Sequence, residues 1–64
     1  MKFYLTFGQD HPLRNGWVEI EAPTYGEVRE LVHGVFGTHW SMLYKEGEFE
    51  KEYFPLGKIG ETLK

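Results

Sequence analysis

The stretch "APTYGEVRELVHGVFG", residues 22–37, carries the clearest structural signal in this chain. Thr24 followed by Glu27 is a capping box, in which each side chain hydrogen-bonds the free backbone N–H of the other residue. Apolar residues then recur at the spacing of one helical stripe, and these are Val28, Leu31, Val32, Val35 and Phe36. Gly37 follows, and glycine readily adopts the positive φ that ends many helices. The stretch therefore predicts an amphipathic helix, from Thr24 to Gly37, that covers one face of a sheet.

Gly34 interrupts this helical pattern. A glycine in a helix interior lowers stability by up to about 1 kcal/mol relative to alanine. We therefore expect Gly34 either to fray the last turn or to let a strand approach the helix closely.

Two strands are predicted upstream of the helix. In "KFYLTF", residues 2–7, apolar and more polar residues alternate, as in a strand with one buried face. Its inward-facing residues are Phe3, Leu5 and Phe7. The corresponding residues of "WVEIEA", residues 17–22, are Val18, Ile20 and Ala22. The nine-residue connection ends in Asn15-Gly16, which favours a tight turn because both residues tolerate positive φ, so we expect a hairpin with a long loop.

Downstream of the helix, "THWSMLYK", residues 38–45, reads as a third strand whose buried face the pattern leaves open. "EFEKEYFPLG", residues 48–57, fits at most a short helical turn, because proline and glycine end any regular element there. "KIGETLK", residues 58–64, is a candidate edge strand. The predicted fold is α+β, with one helix packed on a small antiparallel sheet in the order strand-strand-helix-strand and a C-terminal extension.

The composition limits how this fold is stabilised. A chain of 64 residues forms one domain, residues 1–64, and buries only about 60% of the surface that its unfolded chain exposes. It contains no cysteine and its three histidines lack zinc-site spacing, so we predict no disulfide, metal or cofactor. Aromatic residues make up 17% of the chain, and rings that the small core leaves at the surface favour a homo-oligomer contact or a binding patch.

Charge and hydropathy narrow the classes of partner. The formal net charge of −3, with scattered acidic residues, argues against a duplex nucleic acid partner. "MKFYLTF", residues 1–7, lacks the long apolar core of a signal peptide, and no run approaches the roughly 18 apolar residues of a membrane span. We therefore expect a cytoplasmic protein without a membrane partner, which agrees with the absence of cysteine.

The segments "YLTFGQ", "HP", "GWVEIEAPTY", "HWSMLY" and "YFPLG" resemble those of a family of short proteins found in tailed bacteriophage genomes. The resemblance extends from Phe3 to Gly57. It implies a setting in the cytoplasm of a bacterial host, where small accessory phage proteins interfere with host processes that include antiviral signalling. By analogy with unrelated phage proteins, it suggests an anti-defence protein that binds and sequesters a nucleotide-derived immune signal.

The loop "HPLRNGW", residues 11–17, is the first candidate ligand site. His11 and Arg14 offer donors to a phosphate, and Trp17 offers a flat surface on which a base stacks. The alternative is a solvated loop in which Trp17 only covers the edge of the hairpin.

A second candidate site is "THWS", residues 38–41, where Trp40 is a second stacking surface and Ser41 a hydrogen-bonding group. The alternative is that Trp40 belongs to the core and that the hydroxyls satisfy backbone groups near the helix end. Tyr53 is expected to supply a further hydroxyl to the ligand. An enzyme is disfavoured, because Ser41 and the histidines lie in no nucleophile elbow or comparable context.

These patterns favour a binding protein over an enzyme. The residues expected to contact a small nucleotide-like ligand are His11, Arg14, Trp17, Trp40, Ser41 and Tyr53. The alternative is an inhibitor that binds a host bacterial protein through its C-terminal half, with an aromatic centre and an acidic rim. Its centre would be Tyr25, Phe49, Tyr53 and Phe54, and its rim Glu48, Glu50 and Glu52. The same rings equally suit packing of the C-terminal segment back onto the sheet, or a subunit contact.

Overall fold

A computed structural model describes all 64 residues and has the expected α+β architecture, one helix on a four-stranded sheet. The elements are β1 (Lys2–Thr6), β2 (Gly16–Glu21), α1 (Tyr25–Phe36), β3 (Met42–Lys45) and β4 (Gly57–Lys58). The strand order is β3-β1-β2-β4, with β1 antiparallel to both β2 and β3. The prediction of a purely antiparallel sheet is wrong at β4, which pairs with β2 in parallel. The chain reaches β4 only after crossing the sheet, so it arrives in the same direction as β2.

The helix begins and ends where the sequence predicts. Thr24 Oγ1 accepts a hydrogen bond from the Glu27 N–H at 3.2 Å. Gly37 adopts a φ of 61°, and its N–H donates to the His33 carbonyl at 3.0 Å. The helix continues past Gly34 to Phe36, and no heavy atom lies within 4 Å of the position of a Cβ at Gly34. The expected close approach of a strand to Gly34 is therefore wrong. With its 12 residues, α1 is too short and too polar to cross a lipid bilayer.

The main core lies between the helix and one face of the sheet. Phe3 pairs with Ile20, and Leu5 pairs with Val18, so the apolar residues of β1 and β2 meet on the same face. The core residues are Phe3, Leu5, Phe7, Val18, Ile20, Ala22, Val28 and Val32. Both predicted strand patterns are confirmed, and so is the helical stripe except at Val35, which is 58% exposed. Leu43 also packs against this core, which decides the face of β3 that the sequence left open.

The connection between β1 and β2 ends in a turn that closes at Gly16, as expected, but the turn lacks the positive φ that Asn15-Gly16 predicts. Neither residue has a positive φ. Successive backbone hydrogen bonds shape the connection. The Arg14 N–H donates to the His11 carbonyl at 3.1 Å, and the Gly16 N–H donates to the Leu13 carbonyl at 2.9 Å. A Cβ at Gly16 would lie 2.5 Å from Ile59 Cδ1. A side chain at Gly16 would therefore conflict with Ile59 unless Ile59 moved, so the close packing of the C-terminal residues favours glycine here, and the predicted positive φ is not its role.

The second face of the sheet is also buried, although the sequence predicted one buried face. Tyr4, Thr6 and Trp17 are only 4%, 3% and 7% exposed. They lie beneath residues 46–56, here called the C-terminal strap, which contains two 3₁₀ turns, Glu46–Glu48 and Lys51–Tyr53. The strap therefore gives this short chain a second apolar layer.

Phe49 is the centre of that layer. Its ring stacks on Tyr4 with centroids 4.9 Å apart and planes inclined by 14°. The rings of Trp17, Tyr44 and Phe54 lie 5.6, 5.6 and 5.1 Å from it. The Lys51 ammonium sits over Tyr4 and Trp17, 5.4 and 5.1 Å from their centroids. The strap is thus held by one inserted ring and by two cation–π contacts of a single lysine.

Glu19 holds the C-terminal residues beside the strap. Its carboxylate lies 3.1 Å from the Lys58 ammonium and 3.4 Å from that of Lys2, and it accepts a 2.6 Å hydrogen bond from the Thr62 hydroxyl. The bond from Thr62 and the two cations lower the pKa of Glu19 from 4.5 to about 2. Leu63 adds a parallel bridge to Ile20, so the predicted edge strand does form, as β4 and this bridge.

This network predicts an acid-sensitive fold. The folded-state pKa of Glu19 lies below its unfolded value, so its contribution to stability is complete above pH 4.5 and declines as pH falls towards 2. We expect Glu19→Gln to lower the free energy of unfolding at pH 7 by about 1–2 kcal/mol. The variant should also lose less of this free energy than the wild type as pH falls from 4.5 to about 2. Urea denaturation at several pH values measures both effects. The control is Glu52→Gln, which removes an exposed carboxylate and should retain the wild-type dependence of stability on pH. If Glu19→Gln also retained the wild-type dependence, this role of the network would be contradicted.

Candidate functional site

Four segments meet at one end of the sheet and enclose a cavity of about 320 Å³, here called the Arg14 cavity. It is bounded by the end of β1, the connection before β2, the start of β3 and the second 3₁₀ turn of the strap. Two backbone hydrogen bonds fix this arrangement. The Ser41 N–H donates to the Thr6 carbonyl at 2.9 Å, and the Leu56 N–H donates to the Asn15 carbonyl at 2.8 Å. Each wall of the cavity is therefore tied to the sheet or to a neighbouring wall.

The lining of the Arg14 cavity is rich in hydrogen-bonding groups and contains one cation. The polar side chains include Gln9, Arg14, Asn15, Ser41, Tyr44 and Tyr53. The guanidinium of Arg14 forms no ion pair with a carboxylate. An unpaired guanidinium among hydroxyl and amide groups suits a phosphate or carboxylate, because it presents several N–H donors in a fixed plane.

Three of the six residues predicted to bind a ligand line this cavity, namely Arg14, Ser41 and Tyr53. They are brought together from three segments that are distant in sequence. Gln9 and Tyr44 line it as well and were not predicted. Tyr44 shares a face with Tyr4 across β1 and β3, and that register is not evident from the local pattern of either strand.

His11 and Trp17 lie elsewhere. The His11 ring stacks on Phe7 with centroids 4.5 Å apart, and its Nδ1 accepts a hydrogen bond from the Leu13 N–H at 3.0 Å. Trp17 is only 7% exposed, with Tyr4, Phe49 and Lys51 against its ring. Both side chains are occupied in holding the fold, and the surface that Trp17 leaves for base stacking is small.

Trp40 lies on the helix side of the sheet and is half-buried against the main core. Its Nε1–H donates to the Gly37 carbonyl at 2.9 Å. The indole lines a second cavity of about 550 Å³, here called the Trp40 cavity, together with Arg29, Glu30, His33 and Gly34. This cavity shares no lining residue with the Arg14 cavity. Trp40 therefore cannot stack on the base of a ligand held inside the Arg14 cavity.

The aromatic residues expected at a protein interface are divided by the strap. Phe49 and Phe54 are half-buried in the second layer, and Tyr53 is 71% exposed on the strap. Tyr25 is 41% exposed at the start of α1, with its ring 5.9 Å from that of Phe3, so it lies apart from the other three. A shallow cavity of about 430 Å³ at the strap is lined by Glu48, Glu50 and Tyr53 among others. The inward packing that the sequence left as an alternative is thus observed for Phe49 and Phe54.

Comparisons with protein-family models, with curated proteins and with solved structures gave no match. The resemblance to short phage proteins therefore stays a prediction. The case for function depends on the geometry of the cavities.

Proposed function

We propose that this protein binds a small phosphate-bearing, nucleotide-like ligand in the Arg14 cavity and acts by sequestering it. The observation that carries the proposal is the convergence of Arg14, Ser41 and Tyr53 on one cavity. In this account the guanidinium binds the phosphate, and the two hydroxyls donate to or accept from the sugar or the phosphate oxygens. His11 and Trp17 support the fold and make no ligand contact.

The size of the Arg14 cavity limits what it holds. Ligand cavities in proteins span about 300–1,000 Å³, and this one, at about 320 Å³, is at the lower end of that range. We therefore infer that one phosphate-sugar unit enters, and that the rest of a larger signal such as a cyclic dinucleotide remains outside. In the bacterial setting that the phage resemblance implies, the ligand is a nucleotide-derived host immune signal.

Sequestration requires binding without a chemical step. The proposed site is assigned no nucleophile and no general base, so we expect the ligand to be released chemically unchanged. The test is a thermal-shift and mass-spectrometry screen of the purified protein against cyclic dinucleotides and ADP-ribose derivatives. Recovery of an unaltered ligand after heat release is the expected result. Recovery of a chemically changed ligand would instead favour an enzyme, and no thermal shift with any compound would contradict the proposal.

Arg14→Gln is expected to weaken binding of the compound identified in this screen by about 10–100-fold, because a charge-assisted pair to phosphate is lost. The thermal stability of the free protein should remain unchanged, since Arg14 is exposed and forms no ion pair. Isothermal titration calorimetry measures the affinity. Lys45→Gln, which removes an exposed cation that does not line the cavity, is the matched control. Equal affinities for the wild type and Arg14→Gln would remove the basis for the site.

The second candidate function is inhibition of a host protein. It is favoured by the exposed Tyr53, which lines one shallow cavity with Glu48 and Glu50, and by the exposed Leu56 further along the strap. A host protein that co-purifies with wild type and with Arg14→Gln, but not with Leu56→Glu, would favour this candidate over sequestration. The predicted homo-oligomer is tested in the same preparation by light scattering.

A further inference from the structure

Gly34 is a helix-interior glycine that the fold does not require. Its φ is not positive, and apart from its chain neighbours and the backbone of its own helix, no heavy atom lies within 4 Å of the position of a Cβ. Glycine is less favourable than alanine in a helix interior, so an alanine here should stabilise the free protein. A glycine without a structural reason, at the wall of a cavity, is typical of a position where a ligand approaches the backbone closely.

The side chains that line the Trp40 cavity beside Gly34 are chemically varied. Arg29 and His33 lie one helical turn apart on the exposed side of α1, and both line the Trp40 cavity of about 550 Å³. The indole of Trp40 lies across the same cavity. Its orientation is fixed by the 2.9 Å bond from Nε1–H to the Gly37 carbonyl and by packing on the core.

We propose that the Trp40 cavity is a second binding site, for a planar heteroaromatic ring that carries one anionic group. The ring stacks on Trp40 beside the bare backbone of Gly34, and Arg29 and His33 donate to the anion. The Glu30 carboxylate lines the same cavity. It accepts a hydrogen bond from an amino group on the ring and disfavours ligands with more than one anionic group.

The site is independent of the proposed function, because the two cavities share no residue. The probe is AMP, which has an amino-bearing ring and a single phosphate group. The chain has two tryptophans, so a ¹⁵N-labelled sample shows two indole N–H signals, which Trp40→Phe assigns. Titration with AMP should shift the Trp40 signal saturably and leave the Trp17 signal in place, because Trp17 is buried beneath the strap.

Two fragments of AMP test the two halves of the site. Adenosine lacks the anion and ribose 5-phosphate lacks the ring, so each should bind at least tenfold more weakly than AMP. In Arg29→Gln, the AMP affinity measured from the Trp40 signal should fall to the affinity of adenosine. Arg14→Gln should leave it unchanged, which separates this site from the Arg14 cavity. A saturable shift of equal affinity for ribose 5-phosphate and AMP would overturn the stacking role of Trp40.

Gly34 supplies the sharpest test. Gly34→Ala should raise Tm by about 2–8 °C and still weaken AMP binding several-fold, and Gly34→Leu should abolish binding while α1 remains folded. The control is Gly26→Ala on the same helix, where a Cβ would make only an ordinary 3.9 Å contact with Thr24. It should leave AMP affinity unchanged. Undiminished affinity in Gly34→Leu, or no shift of the Trp40 signal with AMP in the wild type, would overturn the proposal.

Discussion

Replacing Phe49 with alanine is expected to lower the free energy of unfolding by about 2–4 kcal/mol. Phe49 is the ring on which the second layer is assembled, with four aromatic neighbours between 4.9 and 5.6 Å away. Its removal leaves a cavity above Tyr4 and Trp17 that the strap is too short to refill. A domain of 64 residues has only several kcal/mol of stability, so a large loss of folded protein follows.

Chemical denaturation monitored by tryptophan fluorescence measures this effect, because Trp17 lies against Phe49. The matched control is Tyr53→Ala in the same strap. Tyr53 is 71% exposed, so its truncation should change stability by no more than about 0.5 kcal/mol. If both variants lose equally little stability, the strap is not a structural layer and the second face of the sheet is open in solution.

Gly16→Ala is expected to lower the free energy of unfolding by about 1–3 kcal/mol, through overpacking. A Cβ there would lie 2.5 and 2.8 Å from two Ile59 side-chain atoms and 3.1 Å from Leu56. Ile59 must then change rotamer or move away from β2. Its N–H donates a 2.8 Å hydrogen bond to the Trp17 carbonyl of that strand, and a movement would strain this bond. Thermal and urea denaturation measure the loss.

Two further variants identify the cause of that loss. Ile59→Ala removes the conflicting atoms. The double variant Gly16→Ala, Ile59→Ala should therefore lose less free energy of unfolding than the sum of the losses in the two single variants. Gly47→Ala, where a Cβ would meet nothing within 4 Å, should be nearly neutral. Strict additivity of the first pair would show that Gly16 is needed for another reason than the contact with Ile59.

The main core was predictable because each of its elements has a complete local pattern. The capping box at Thr24 places the start of α1, and period-2 alternation places Phe3, Leu5, Val18 and Ile20 on one face. A helical stripe and two half-apolar strands have few ways to bury their apolar surfaces other than against one another.

The second layer was only one of several alternatives that the sequence left open, since it depends on tertiary contacts. Tyr4 and Thr6 occupy the positions that alternate with the core residues and therefore read as a solvated face. Phe49 lies more than forty residues from Tyr4 in the sequence, and no periodicity links them. A different tertiary contact favours glycine at position 16, because its neighbour Ile59 belongs to the C-terminal residues and leaves no signal in the local sequence.

The candidate site was predicted in part for the same reasons. Arg14 lies in a loop with few apolar residues, so its exposure followed from its position. Ser41 and Tyr53 were selected for their chemistry, and only the meeting of β3 with the strap brings them to the cavity of Arg14. Trp17 and Trp40 were indistinguishable as stacking surfaces, because burial beneath the strap is a property of the whole fold.

The most direct test of the central claim is an NMR titration of the wild-type protein with ADP-ribose. We expect saturable shifts of the Arg14 Nε–H signal and of the Gln9, Asn15 and Ser41 backbone amides, because these residues line one cavity. Shifts confined to the Trp40 indole and α1 would contradict this claim, and so would an unchanged spectrum at millimolar ligand.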